Sequence, residues 1–297
     1  MRAIAEQGLQ VNRLAGVSMG ALMASLCALE QNLDQASTRV FEFLNSETYR
    51  KLQSKMLQAS AGASSDCGTG HWAIRLLRGL VAHRLLVKSL RTPSVMPSSI
   101  LRDIIDPLIP DIDIQDLPMT VHIVAVDLIS GQRVIMSSGS LRRAIRASMS
   151  IPGVFPPVRD EGRLLCDIGV YDAVPCDVFD EVASPNRPQQ VIAVDVGKRS
   201  DRDVQCKSAL DAILRFQDLA EQQIRGFSLQ TADVVIRPQV PHVPWFDFTG
   251  PQAIIDAGYT AGLHALSQSK LLVDQAGKLA APLIPTTSVA TQPSSAS

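Results

Sequence analysis

The sequence predicts a three-layer α/β fold with a mostly parallel central sheet flanked by helices. Three observations predict it. Strand-like runs alternate with helical stretches along the chain, the pattern of a sheet built through crossover connections. Val191 to Val196 is a nearly continuous apolar run, of the kind that a strand covered on both faces requires. Leu14-Ala15-Gly16-Val17-Ser18-Met19-Gly20-Ala21-Leu22 reads as a strand, a sharp turn and the start of a helix.

Composition sets the frame. A chain of 297 residues, 46% hydrophobic and 19% charged, can bury one large α/β domain or two smaller ones. We expect a single domain over residues 1–275 and a disordered tail at 276–297, since the end after Pro285 is rich in Ser, Thr, Pro and Ala and poor in bulky apolar residues. A net charge of −1 supplies no basic field, so nucleic acid is not an expected partner. Cys27, Cys67, Cys166, Cys176 and Cys206 are odd in number and lack metal-like spacing; they read as mostly buried thiols of a reducing compartment. No signal peptide and no apolar stretch of about 18 residues is recognisable, so a cytoplasmic location is expected, with membrane contact only local.

In chain order, Met1 to Gln7 read as the end of a helix closed by Gly8, and Val11 to Ala15 as a short strand. Helix formers Ala21, Leu22, Ala24, Leu26, Ala28 and Leu29 follow. Thr38 to Ala59 reads as one helix, and Ala61 to Gly70 as a loop. His71 to Leu90 interleaves apolar clusters with Arg75, Arg78, Arg84 and Lys88, with Arg91 just beyond. It reads as a helical cap over the sheet or as a lipid-facing lid, and its basic residues form no single face on a helical wheel. A short helix is expected at Ser99 to Ile105. Thr120 to Leu128 and Arg133 to Met136 are strands joined at Ser130-Gly131, a hairpin by its turn chemistry. Ser140 is placed to cap a helix carrying Leu141, Ala144, Ile145 and Ala147, with Arg142, Arg143 and Arg146 on a solvated or phosphate-contacting face. Arg163 to Cys166 is a strand delivering Asp167-Ile168-Gly169 to a turn; a helix from about Val204 to Leu229, a strand at Ala232 to Ile236 and a helix at Thr249 to Leu266 complete the chain.

The G-x-S-x-G pattern has the form of a nucleophile elbow. Small residues at Gly16 and Gly20 are expected to avoid collisions while Ser18 is held in a strained turn at a helix N-terminus, where negative charge is favoured. A serine nucleophile needs a base. His71, His83, His122, His242 and His264 all fall in helical, strand or loop contexts without the look of a catalytic loop. Asp167 follows a strand directly and precedes a glycine, so it can reach the same sheet edge as the serine; the plainer reading of such an aspartate is a turn residue.

The chain resembles the patatin-like phospholipase family, in particular bacterial members similar to the neuropathy target esterase branch. The resemblance rests on Leu14 to Leu22, on Ala144 to Val158 with its Ser148-Met149-Ser150-Ile151-Pro152-Gly153 core, and on Leu165 to Pro175. The hairpin with Val126-Asp127-Leu128 and Gly131, and the strand Val191 to Asp195, are also similar to the family's pattern. The resemblance implies a patatin-like fold and a Ser-Asp dyad, with Ser18 as nucleophile and Asp167 as base. It also implies acyl transfer from a phospholipid, lysophospholipid or other acyl ester through an acyl-enzyme, with no metal or organic cofactor. The family's Asp-Gly-Gly or Asp-Gly-Ala is Asp167-Ile168-Gly169 here, and a β-branched Ile168 requires the turn to be made with ordinary backbone angles or by Gly169. An aspartate at its ordinary pKa of about 3.9 is a weak base, so the chemistry leans on positioning and on oxyanion stabilisation.

Family members carry a glycine-rich oxyanion loop between a first strand and the helix that precedes the elbow strand. Met1 falls within that helix, so the strand and loop are not recognisable in this sequence, and the Met19 N–H is the donor that can be named. Losing one oxyanion donor costs about 2.7–4 kcal/mol. The expectation is therefore a lipid acyl hydrolase whose start lies upstream, or a shortened relative of weak or no activity that binds lipid or a protein partner. A Ser-Asp-His triad of the α/β-hydrolase type is the other alternative.

Overall fold

A computed structural model of the chain describes residues 1–30, 32–60, 94, 96–181, 190–197, 206, 209–240 and 250–269. Expectations for the loop at 61–70, the cap at 71–90, Cys67, His71, His83, His242 and the tail at 276–297 lie outside the described residues.

The architecture is α/β. Seven strands are described: β1 (Arg13–Val17), β2 (Thr120–Asp127), β3 (Arg133–Met136), β4 (Val158–Asp160), β5 (Arg163–Cys166), β6 (Ile192–Val194) and β7 (Val234–Ile236). The helices are α1 (Arg2–Glu6), α2 (Met19–Leu29), α3 (Leu33–Asn45), α4 (Glu47–Ser60), α5 (Ser99–Leu108), α6 (Leu141–Ser148), α7 (Val178–Glu181), α8 (Ala209–Ser228) and α9 (Pro251–Ser267). Strands β1 to β5 form one mixed sheet, in which β1 and β2 are parallel, whereas β6 and β7 form a separate parallel pair.

Strand β2 is the axis of the fold. Val121, His122, Ile123, Val124 and Ala125 are each 2% exposed or less, so its near-continuous apolar run is covered on both faces. Because side chains alternate, Val121 and Ile123 enter a large core with α2, α5 and α6, whereas Val124 packs on the opposite face with Val17, Ile168 and Val178. Helices α2, α5 and α6 thus cover one face of the sheet, and Ile168 with the short α7 covers Val17 and Val124 on the other.

Most expected elements are present, with informative differences. The stretch expected as one helix over Thr38 to Ala59 is two, because Ser46 adopts extended backbone and its hydroxyl accepts the Tyr49 N–H at 3.1 Å, capping α4. The Val191 to Val196 strand is short and not covered on both sides, since Val194 and Val196 are 51% and 67% exposed. Strand β4 carries no run long enough to be read from sequence. The arginines of α6 are not simply solvated: Arg142 donates to the carbonyls of Ile109 and Asp106, and Arg143 to that of Arg159, so they fasten the helix to the end of α5 and to β4. Ser140 caps α6 as expected, accepting from the Arg143 N–H. Among the described residues no helix is long and apolar enough to cross a membrane.

Candidate active site

The site begins at the junction of β1 and α2. Gly16 is buried where the strand meets the helix: a Cβ there would lie 2.4 Å from both the carbonyl carbon and oxygen of Gly20, a distance that excludes any side chain. Gly20 itself is different from expectation. It is exposed, and a Cβ on it meets nothing within 4 Å, so Gly16 alone is the steric requirement of this turn.

Between them Ser18 has φ 54° and ψ −122°, in the left-handed region that costs an L residue about 1–3 kcal/mol. Of the described non-glycine residues only Ser18 and Glu161 have positive φ, and Glu161 sits in a hairpin tip. Although Ser18 occupies the N-cap position of α2, its hydroxyl makes no capping hydrogen bond. The Ser18 carbonyl accepts from Ala21 and Leu22, which leaves the N–H groups of Met19 and Gly20 outside the intrahelical ladder.

The register of the sheet brings Asp167 to the same point. β3 pairs with residues Ile123 to Val126 of β2, which overlap those paired with β1 (at Ile123 and Val124) and with β5 (at Val126). β3 must therefore take one edge of β2, while β1 and β5 share the other. They approach along it from opposite directions: β1 ends with Val17 opposite Val124, and β5 ends with Cys166 opposite Val126. Ser18 and Asp167, the next residue of each strand, both leave at the level of Ala125.

Asp167 is 9% exposed. Its N–H donates to the Ser150 carbonyl at 3.0 Å, and its Oδ1 accepts the Gly169 N–H at 2.7 Å, which closes the turn. Neither Ile168 nor Gly169 has positive φ, so the turn uses ordinary angles at both. Ile168 is 1% exposed and packs with Val17, Val124 and Val178, so the residue standing where the family pattern has glycine fills core volume. A Cβ on Gly169 would lie 3.0 Å from Asp167 Oδ1 and 4.0 Å from Val17 Cγ1, which puts the carboxylate beside the residue preceding Ser18.

One residue at this junction has no signal in sequence spacing. The Ser18 N–H donates to Ser148 Oγ at 2.8 Å, and Ser148 Oγ donates to the Val124 carbonyl at 2.7 Å, with Ser148 fully buried. Its partner is 130 positions away, so only the fold reveals it.

Neighbouring carboxylates are structural. Asp127 accepts from the N–H groups of Leu164, Ile129 and Ser130 and from the Ser130 hydroxyl; these bonds, that from Leu164 first, hold its carboxyl at about 2. Asp172 is buried beneath Arg133, which also binds Asp177; burial raises the Asp172 pKa despite the guanidinium, while Arg133 lowers that of Asp177. His122 pairs across from Ala15 and holds its Nδ1 2.7 Å from Ser137 Oγ; burial, then Arg13, lowers its pKa, so it is a neutral core histidine. His264 lies on α9 beside Gln268. Burial raises the thiols of Cys166 and Cys176 to about 12 and 11. A cavity of about 460 Å³ between α3, α5 and α6 is lined by Arg39, Phe43, Asp106 and Arg142 among others, and touches neither Ser18 nor Asp167.

Residues 1–180, which include the whole site, match the family model of the patatin-like phospholipases. An uncharacterized NTE family protein of Mycobacterium tuberculosis is 29% identical over 175 residues, covering 59% of this chain and 39% of the relative. The neuropathy target esterase of Drosophila melanogaster is 28% identical over 208 residues, and patatin-like phospholipase domain-containing protein 7 of Mus musculus 27% over 208 residues. Each covers 69% of this chain, which spans only 12% and 13% of their lengths. With more than half of its length matched by the family model, including the elbow, the Ser148 block and the Asp167 turn, the chain belongs to the patatin-like phospholipase family.

Proposed function

We propose that this chain is a serine lipid acyl hydrolase in which Ser18 is the nucleophile and Asp167 its base, without histidine. The observation that carries the reading is the convergence of the two residues at Ala125, from two strand ends that share one edge of β2. The strained backbone of Ser18 and its unspent hydroxyl support the same role.

In the first step Ser18 Oγ attacks the ester carbonyl as its proton passes to the Asp167 carboxylate. The tetrahedral oxyanion forms near the Met19 and Gly20 N–H groups at the positive end of α2. Collapse expels the alcohol, which takes the proton from Asp167, and leaves an acyl ester on Ser18. Water then attacks that ester, Asp167 accepts its proton, and the fatty acid departs as Ser18 regains one. Exposed Val170 and Tyr171, just beyond the Asp167 turn, offer an apolar rim to an acyl chain. The substrate class is an acyl ester of a phospholipid, lysophospholipid or neutral lipid, met at a membrane surface to which the protein binds peripherally.

Hydrolysis of a p-nitrophenyl ester and of a fluorogenic phospholipid tests the assignment. Ser18→Ala should abolish turnover and Asp167→Asn should lower kcat by 10³-fold or more, on the order of what removing a triad member costs. Turnover that survives Ser18→Ala would sink it.

A further inference from the structure

We propose that Ser148 is a positioning residue: its hydroxyl holds the Ser18 backbone in the elbow conformation, and the strap Ser148–Ser150 sets the nucleophile against the base. The inference rests on the dyad reading above and adds a residue that never touches substrate.

The ladder between β1 and β2 stops one residue short of Ser18. Their last pair is Val17 with Val124, and the next step of a parallel ladder would offer the Val124 carbonyl to the Ser18 N–H. That bond is not made directly. Ser148 Oγ stands between the two groups, accepting from Ser18 N at 2.8 Å and donating to Val124 O at 2.7 Å. A hydroxyl has one proton and two lone pairs, so it can do both at once. By splicing itself into the ladder it lets the chain lift off the strand one residue early while both backbone groups stay satisfied. The Ser18 carbonyl is tied on its other side to Ala21 and Leu22. A peptide fastened at both ends can be held at φ 54°.

The same strap holds the second residue. Two positions on, the Ser150 carbonyl accepts the Asp167 N–H at 3.0 Å. Ser148, Met149 and Ser150 are 0%, 4% and 1% exposed, so the strap is fixed by the core on all sides. One buried tripeptide thus binds the nucleophile by a side chain and the base by a carbonyl. Displacement of a reacting group by about 1 Å costs on the order of 10²-fold in rate, which is the scale at which such a strap matters.

Ser148→Ala is the test, read by steady-state kinetics and by a crystal structure of the full chain. The expected result is a kcat lower by about 10²-fold with KM unchanged, and a Ser18 that has left positive φ to close directly on the Val124 carbonyl. Ser25→Ala is the control: it removes an equally buried hydroxyl, which bonds Ala21 O within α2, and should leave kcat unchanged. A Ser148→Ala protein with kcat within threefold of wild type, or with Ser18 still at positive φ, overturns the proposal. If Ser148→Ala does not fold, Ser148→Cys keeps the volume but only weak hydrogen bonding; kcat should fall at least tenfold, and a wild-type kcat overturns the proposal. Activity surviving in Ser18→Ala would remove the dyad reading instead, and the Ser18 conformation in the Ser148→Ala crystal would still decide the role of Ser148.

Discussion

Ser18 and Asp167 leave one edge of the same strand from opposite directions, each one residue past its last paired position, and they do so at the level of Ala125. Strand β1 arrives parallel to β2 and β5 antiparallel to it. The meeting of their ends is a property of topology, and the surrounding glycine, isoleucine and aspartate positions can be tested by how they serve it.

The two glycines of the elbow should respond differently. Gly16→Ala places a Cβ 2.4 Å from Gly20 backbone atoms and should lower stability by about 3 kcal/mol or more, the upper range of overpacking, or prevent folding. Gly20→Ala meets open space in the first turn of α2 and should gain up to about 1 kcal/mol from helix propensity. Denaturant melts of the two variants check this.

Ile168→Gly, which restores the more usual family residue, should not improve the protein. Ile168 is 1% exposed among Val17, Val124 and Val178, so its removal should cost about 3–5 kcal/mol, seen as a lowered Tm.

Much of this could be read from the sequence, and the exceptions share a cause. Signals contained within a few residues were legible: the Gly8 helix stop, the Ser140 cap, the Ser130-Gly131 turn, the G-x-S-x-G elbow and the strand that delivers Asp167. What escaped depends on contacts distant in sequence. The role of Ser148 exists only because α6 ends beside β1, and the exposure of Val194 and Val196 goes with a β6 that, among the described residues, pairs with β7 alone. Gly20 fits its motif, yet the steric reason falls on Gly16. Ser46 was legible in principle as a cap, but it lies inside an apolar period that runs on through both helices.

Asp127 should make part of the fold acid-sensitive. Its carboxyl is held at about 2, below the ordinary 3.8, so the folded state favours its ionised form. The resulting stability is present above pH about 4 and is lost as pH falls through about 2. Acid unfolding followed by circular dichroism should show wild type more stable than Asp127→Asn at neutral pH, with the gap narrowing over that window.

Arg133→Met should unbalance Asp172. The Asp172 and Arg133 side chains are 7% and 15% exposed, and stripping the guanidinium from a buried carboxylate costs about 3–5 kcal/mol. Burial already raises the Asp172 pKa, and losing Arg133 raises it further. A carboxyl whose folded pKa exceeds its unfolded value costs stability as pH rises from the unfolded toward the folded value. The deficit of the variant should therefore be smaller at pH 5 than at pH 8, as urea melts at the two values will show.

A Ser18 nucleophile activated by Asp167 can be captured covalently. The chain is treated with a fluorophosphonate, which bonds to activated serines, and the modified peptide is identified by mass spectrometry in wild type, Ser18→Ala and Asp167→Asn. One adduct on Ser18 is expected, absent from Ser18→Ala and formed at least 10²-fold more slowly in Asp167→Asn, about the scale of general-base assistance. An adduct on another serine, or labelling of Asp167→Asn at the wild-type rate, would contradict it.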